Sequence, residues 1–181
     1  MKKKLLAAAM SFLLALSITA CGTKTGSSSS GQSAESTVTT ALKGLLQAPD
    51  QDLAASFQKD GTELGLGVES GAQSASSGED AVLQQKFGGY FTGDALKDFA
   101  STYLVPYQTS TQKNGAAMKW KSSSVTKSSD GYNFSAVADY TGKSGSQEIK
   151  LSGRAQLSQD GKISFFRIDS DGGMSGLLQN G

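Results

Sequence analysis

The single cysteine of the 181-residue chain, Cys21, follows Ile18, Thr19 and Ala20. A branched residue and two small ones leading straight into cysteine form a lipobox, where a bacterial export signal is cut and the new N-terminal cysteine takes lipid on its sulfur. The residues upstream fit that chemistry: Lys2, Lys3 and Lys4 form a basic start, and Leu5 to Leu16 is an apolar run. That run is shorter than the about 20 residues needed to span a bilayer. The competing reading is an ordinary secretory signal with an incidental cysteine. The position of the lone thiol directly after the small residues decides for lipid attachment. One thiol cannot close an internal disulfide, so a hydrophobic core must hold the fold.

Other reactive chemistry is sparse. The chain has no histidine, which removes the commonest general base, the serine–histidine nucleophile systems and most zinc sites. An isomerase-type site would need an inward carboxylate and a hydroxyl to stabilise an oxyanion. Tyr132, Tyr140 and Asp169 are the residues to consider, and tyrosines on a buried sheet face are more often core residues. Asp169, Ser170, Asp171 and Gly172 begin like a calcium loop but lack its later ligands and closing glutamate. Gly65-Leu66-Gly67 and Asp171-Gly172-Gly173 are too short for phosphate loops and read as turns. No catalytic residue, metal or cofactor is assigned, and the chain is not expected to be an enzyme.

Loss of Lys2, Lys3 and Lys4 with the signal would take the net charge from +1 to −2. The mature chain then has neither a nucleic-acid footprint nor a polybasic membrane patch. Lys119 and Lys121 flank Trp120, but neighbours on a strand point to opposite faces, so Trp120 goes inward and both lysines outward.

Three segments organise the chain: a signal at 1–20, the lipidated cysteine with a Gly/Ser-rich tether at 21–36, and a single domain at 37–181. Such a tether spans about 20 Å on average and reaches roughly 50 Å when extended. In the domain, Val38, Ala41, Leu42, Leu45 and Leu46 share one helical face, with Ser36 or Thr37 as cap and Pro49 as stop. Asp50 caps a second helix bearing Leu53, Ala54 and Phe57. Asp80 to Phe87 is a third. Thr92 opens a fourth, carrying Leu96, Phe99, Ala100, Tyr103 and Leu104 and ending at Pro106. A loop with one short strand at Glu63 to Glu69 lies between the second and third. Gly88-Gly89-Tyr90-Phe91 is an apolar turn, either a plug or a lip for whatever the sheet encloses, and the plug is favoured.

From Ala116 the apolar period becomes two, and turns at Ser129-Asp130-Gly131, Gly142 to Gly145 and Gln159-Asp160-Gly161 divide the remainder into a four-stranded antiparallel meander. The middle turn sets Ala138 opposite Ile149, Ala136 opposite Leu151, Phe134 opposite Gly153 and Tyr132 opposite Ala155. One face is apolar and the helices are available to cover it, giving an α+β fold. For the last hairpin two registers compete. A two-residue turn sets Arg154 against Arg167 on the polar face, with Asp169 available between them. A three-residue loop sends Ile163, Phe165, Arg167 and Asp169 inward. The similar form of the first turn favours the three-residue loop for both, with Arg167 at a pocket mouth.

Thr37 to Phe57, Tyr90 to Leu104 and the strands from Met118 to Ile168 resemble the nuclear transport factor 2-like superfamily, the cystatin-like or ketosteroid-isomerase-like cone fold, and within it the small extracytoplasmic lipoproteins. The resemblance implies a curved sheet around the helices with a conical pocket, and the strand faces read above make Trp120, Tyr132, Tyr140, Arg167 and Asp169 the candidates to line it. The expected function is a membrane-tethered, non-enzymatic binding domain on the extracytoplasmic face of the cell membrane, with an envelope protein or small ligand as partner. A lipoprotein enzyme with an isomerase-type pocket and a small solute-binding lipoprotein are the alternatives. Fold alone does not choose among them.

Overall fold

The computed structural model describes residues 33–59, 78–143 and 145–180. The signal, Cys21, most of the tether, the strand expected at 63–69 and Gly65-Leu66-Gly67 lie outside these residues. Helices α1 (Ala34–Leu46), α2 (Gln51–Lys59), α3 (Gly78–Phe87) and α4 (Gly93–Phe99) precede a five-residue π turn (Ala100–Leu104) and α5 (Val105–Lys113). Strands β1 (Ala117–Ser128), β2 (Gly131–Gly142), β3 (Gly145–Leu157) and β4 (Ile163–Ser170) follow, then α6 (Met174–Asn180). The sheet is antiparallel in the order β1-β2-β3-β4.

Helix α1 starts earlier than its apolar spacing suggests, because Ser33, in extended conformation, accepts a hydrogen bond on Oγ from the Ser36 amide and so caps it. Its face of Val38, Ala41, Leu42, Leu45 and Leu46 is wholly buried. Beyond its end, Ala48 exchanges two backbone hydrogen bonds with Met118, which ties the helical layer to the β1 edge. Pro106 does not end the fourth helix as expected. The Val105 amide bonds back to the Ala100 carbonyl, and this widened turn lets the chain pass a residue with no N–H and continue to Lys113.

Asp50 caps α2 as its sequence position implies: its Oδ1 accepts from the amides of Asp52 and Leu53 at 3.1 and 3.2 Å. Lys86 of α3 reaches the same carboxylate at 2.9 Å and Asp52 at 3.1 Å. Burial alone would raise the Asp50 pKa, but the Lys86 ammonium and the two amides outweigh it and leave the group below its usual value. A depressed folded-state pKa contributes stability above the unfolded value, near 3.9, and that contribution is lost as pH falls through the folded pKa. Asp50→Asn keeps the cap but not the charge. Its stability deficit relative to wild type should therefore be largest near neutrality and shrink below about pH 4, read from urea midpoints across the pH range. A deficit that does not change with pH would mean the Lys86 pair adds nothing.

The β2–β3 register is the expected one at all four pairs, from Ala138 opposite Ile149 to Tyr132 opposite Ala155. The two outer hairpins differ. Only Ser129 and Asp130 separate the paired residues Ser128 and Gly131, so the first loop has two residues. A bulge between Trp120 and Ser122 then restores the inward alignment, with Met118 opposite Tyr140. In the last hairpin Gln159, Asp160 and Gly161 do form a three-residue loop between Ser158 and Lys162, but Ser164 is an extra residue on β4. The register slips back by one, so Ile163, Phe166 and Ile168 face the helices and Phe165, Arg167 and Asp169 do not.

The helices cover one sheet face. Phe91 stacks on Phe99 with ring centroids 4.7 Å apart, Phe166 stands edge-on to Phe99 at 5.1 Å, and Phe134 stacks on Phe166 at 4.8 Å. The chain around Phe91 is pinned by hydrogen bonds from the Ile163 amide to the Tyr90 carbonyl and from the Thr92 amide to the Ile163 carbonyl. The Gly88 to Phe91 turn is thus held against the start of β4 with Phe91 in the core.

Candidate functional site

The five residues expected to line a pocket are not brought together. Tyr132 and Tyr140 lie on the apolar side of β2 but eight residues apart, about 26 Å along an extended strand. Trp120 is half-buried beside α1, with the Lys43 ammonium 5.0 Å from its ring centroid. Tyr140 is 1% exposed and packs opposite Met118. The Trp120 Nε1 and Tyr140 Oη atoms have no hydrogen-bond partner among the described residues. Tyr140 sits in the core cluster and Trp120 packs against it, as tyrosine and tryptophan on an apolar sheet face usually do. A small recess of about 40 Å³, lined by Tyr140, Ser146, Gln147 and Leu177 with Gly145, lies at that end of the sheet.

Arg167 and Asp169 are on the opposite, solvent face, so their place at a pocket mouth is corrected. The cause is the Ser164 bulge. Arg154 and Arg167 stand directly opposite one another, and Asp169, the extra residue of a second bulge, accepts from Nε and Nη2 of Arg154 and pairs with Nε of Arg167 at 3.2 Å. Hydrogen bonding from Arg154 holds the Asp169 carboxyl below its usual range. This carboxylate relieves the repulsion between the two arginines, the role considered for it under the two-residue register. Farther along the same face, Lys121 bridges Asp139 and Glu148, and Lys150 also meets Glu148.

The covered face is apolar in composition. The buried polar side chains among the described residues are Thr37, Ser56, Gln108 and Thr111, without a carboxylate. Thr111 Oγ1 donates to the Tyr107 carbonyl and Ser56 Oγ to that of Leu53, so these hydroxyls serve their own helices. Burial pushes the Tyr107 hydroxyl up to about 12, with nearby Asp171 adding to the effect. It therefore stays protonated between α5 and α6. Asp171 itself caps α6, accepting from the amides of Gly173 and Ser175. The two acidic residues that resembled the start of a calcium loop are thus used apart, Asp169 on the arginines and Asp171 as a helix cap. No cluster of three or more metal-ligating side chains occurs among the described residues, and no described helix is long and apolar enough to cross a membrane.

A hollow of about 170 Å³ that the sequence reading passed over lies at the end of the sheet holding the β1–β2 turn. It is lined by Asp130, Tyr132, Asn133, Arg154, Gln156 and Phe165 among others. The available signal was Phe165-Phe166: two adjacent aromatic residues on a strand must send one ring outward.

The fold defines an α+β protein with helices on one face of a four-stranded antiparallel sheet. No family model matches the chain, and no curated protein matches it. Among solved structures it is similar to the solution NMR structure of a de novo designed β-sheet protein, with a TM-score of 0.47 and 13% identity, covering 77% of this chain and 90% of that one.

Proposed function

We propose that the chain is a lipoprotein of the extracytoplasmic membrane face, cut before Cys21, anchored by lipid on that cysteine, and working as a binding domain rather than a catalyst. The observation that carries the anchor is the Ile18-Thr19-Ala20-Cys21 sequence behind a basic and then apolar leader. The binding reading is supported by the filled apolar face, where aromatic rings occupy the space a catalytic pocket would need, and by the lack of a carboxylate among the buried described residues. An isomerase-type enzyme requires such a base in the interior. The partner is an envelope protein or a small ligand. The nuclear transport factor 2-like cone belongs to the same proposal, supported by the chain order of helices and meander and by the helices lying on one sheet face.

Expression with a labelled fatty acid tests the anchor. The wild-type chain should take up label and sediment with membranes, and Cys21→Ser should abolish both. Label retained by the serine variant would refute the assignment.

A further inference from the structure

An exposed phenylalanine standing alone on a surface is commonplace. Phe165 is different, because a bulge puts it outside. With the three-residue loop at Gln159 to Gly161 and no extra residue, Phe165 would face the core. Ser164 reverses it, and the Ser164 hydroxyl fixes the bulge by donating to the Gln156 carbonyl at 3.3 Å. Bulges of this kind re-aim side chains at functional surfaces. Here the re-aimed ring is 41% exposed and forms one wall of the hollow. Beside the hollow, Gly131, at φ 134°, lets β2 pass close to β3, since a Cβ there would lie 2.5 Å from the Ala155 carbonyl oxygen.

The rest of the lining is polar but balanced in charge. Arg154 is engaged by Asp169 and also feels Asp130, so the hollow is not a site for a free anion. Asn133 and Gln156 each present an amide donor and an amide acceptor. An exposed aromatic face beside paired donors and acceptors suits a ligand with C–H groups on one side and hydroxyls around its rim. The volume is below the roughly 300 Å³ at which sites for drug-sized ligands begin, which limits the occupant to about one ring. We propose that the hollow formed by Phe165, Gln156, Arg154 and Asn133 is a subsite for one ring of a neutral saccharide. This gives the binding reading a ligand class but rests on the sheet geometry, independently of the lipid anchor.

The test is titration of the isotope-labelled full chain in detergent micelles, followed by amide NMR, with a linear trisaccharide of N-acetylglucosamine, a linear glucose pentasaccharide and inorganic phosphate. At least one saccharide should give saturable shifts centred on Asn133, Arg154, Gln156 and Phe165, with a dissociation constant of about 1 mM, as expected for a half-open, single-ring site. Phe165→Ala should weaken binding about tenfold or more, while Phe165→Tyr should stay within about threefold. Melting temperatures of both variants should match wild type, since the ring is outside the core. Gln156→Leu should also weaken binding. The proposal is overturned if neither saccharide gives saturable shifts, if Phe165→Ala binds like wild type, or if phosphate moves the same amides equally. Failure here leaves fatty-acid labelling of Cys21 as an independent result, and failure of labelling leaves this titration interpretable.

Discussion

Gly153→Ala should destabilise the domain by about 3 kcal/mol, although it adds a single methyl group to the middle of a strand. A Cβ at this position would lie 2.0 Å from the Arg167 carbonyl oxygen, 2.6 Å from Phe134 Cζ and 2.9 Å from Ile168 Cα. Two of the three obstacles are backbone, and the third is a ring stacked on Phe166 at 4.8 Å. Side-chain rotation therefore cannot relieve the contact. Either β4 moves away from β3 and breaks pairs around Arg167 and Ile168, or Phe134 leaves the aromatic stack. Gly89→Ala is the control: nothing lies within 4 Å of its Cβ position, and its effect should be within about 0.5 kcal/mol. Urea unfolding of the two variants measures the contrast. A Gly153→Ala protein within about 1 kcal/mol of wild type would mean that β3 and β4 are not held together at this point.

Gly153 also shows which part of the fold could be read from sequence. Its pairing with Phe134 follows from the turn at Gly142 to Gly145 and strict alternation on both sides, because the β2–β3 ladder contains no bulge. The outer ladders contain bulges between Trp120 and Ser122, at Ser164 and at Asp169. Each exchanges the faces of every later residue, and none has a local sequence mark. What fixes them is the requirement that Met118, Phe166 and Ile168 all reach the same core. For that reason the strand pattern left both faces open to Arg167 and Asp169, and the adjacent rings of Phe165 and Phe166 required only that one point outward, without deciding which. Helical periodicity located α1 to α4, while the π turn concealed the passage through Pro106. Of the site residues named from sequence, Trp120, Tyr132 and Tyr140 were read on the correct face but belong to no common pocket, and Cys21 lies outside the described residues.

Gln108 was hidden for a related reason. It is 0% exposed, and its partners lie far away in sequence. Its Oε1 accepts from the Asp50 amide at 2.7 Å, and its Nε2 donates to the carbonyls of Gly44 and Gln47 at 3.2 and 3.3 Å. One amide group from α5 thus satisfies the end of α1 and the start of α2, where a helix leaves backbone groups unpaired. Gln108→Met keeps length and volume but removes all three bonds. An unpaired buried polar group costs about 1–3 kcal/mol, and water can reach some of these partners because Gln47 is exposed and Asp50 half-buried. The expected loss is therefore about 2–4 kcal/mol. Gln108→Asn should not rescue it, since a side chain shorter by one methylene cannot span the donor and both acceptors. The local signature distinguishes this role from simple loss of packing. In Gln108→Met, hydrogen exchange at the Asp50 amide should accelerate beyond the change in global stability, while the Ile149 amide in the sheet should follow global unfolding alone. If both amides accelerate equally, or if the methionine variant is as stable as wild type, Gln108 is not what joins the two helices.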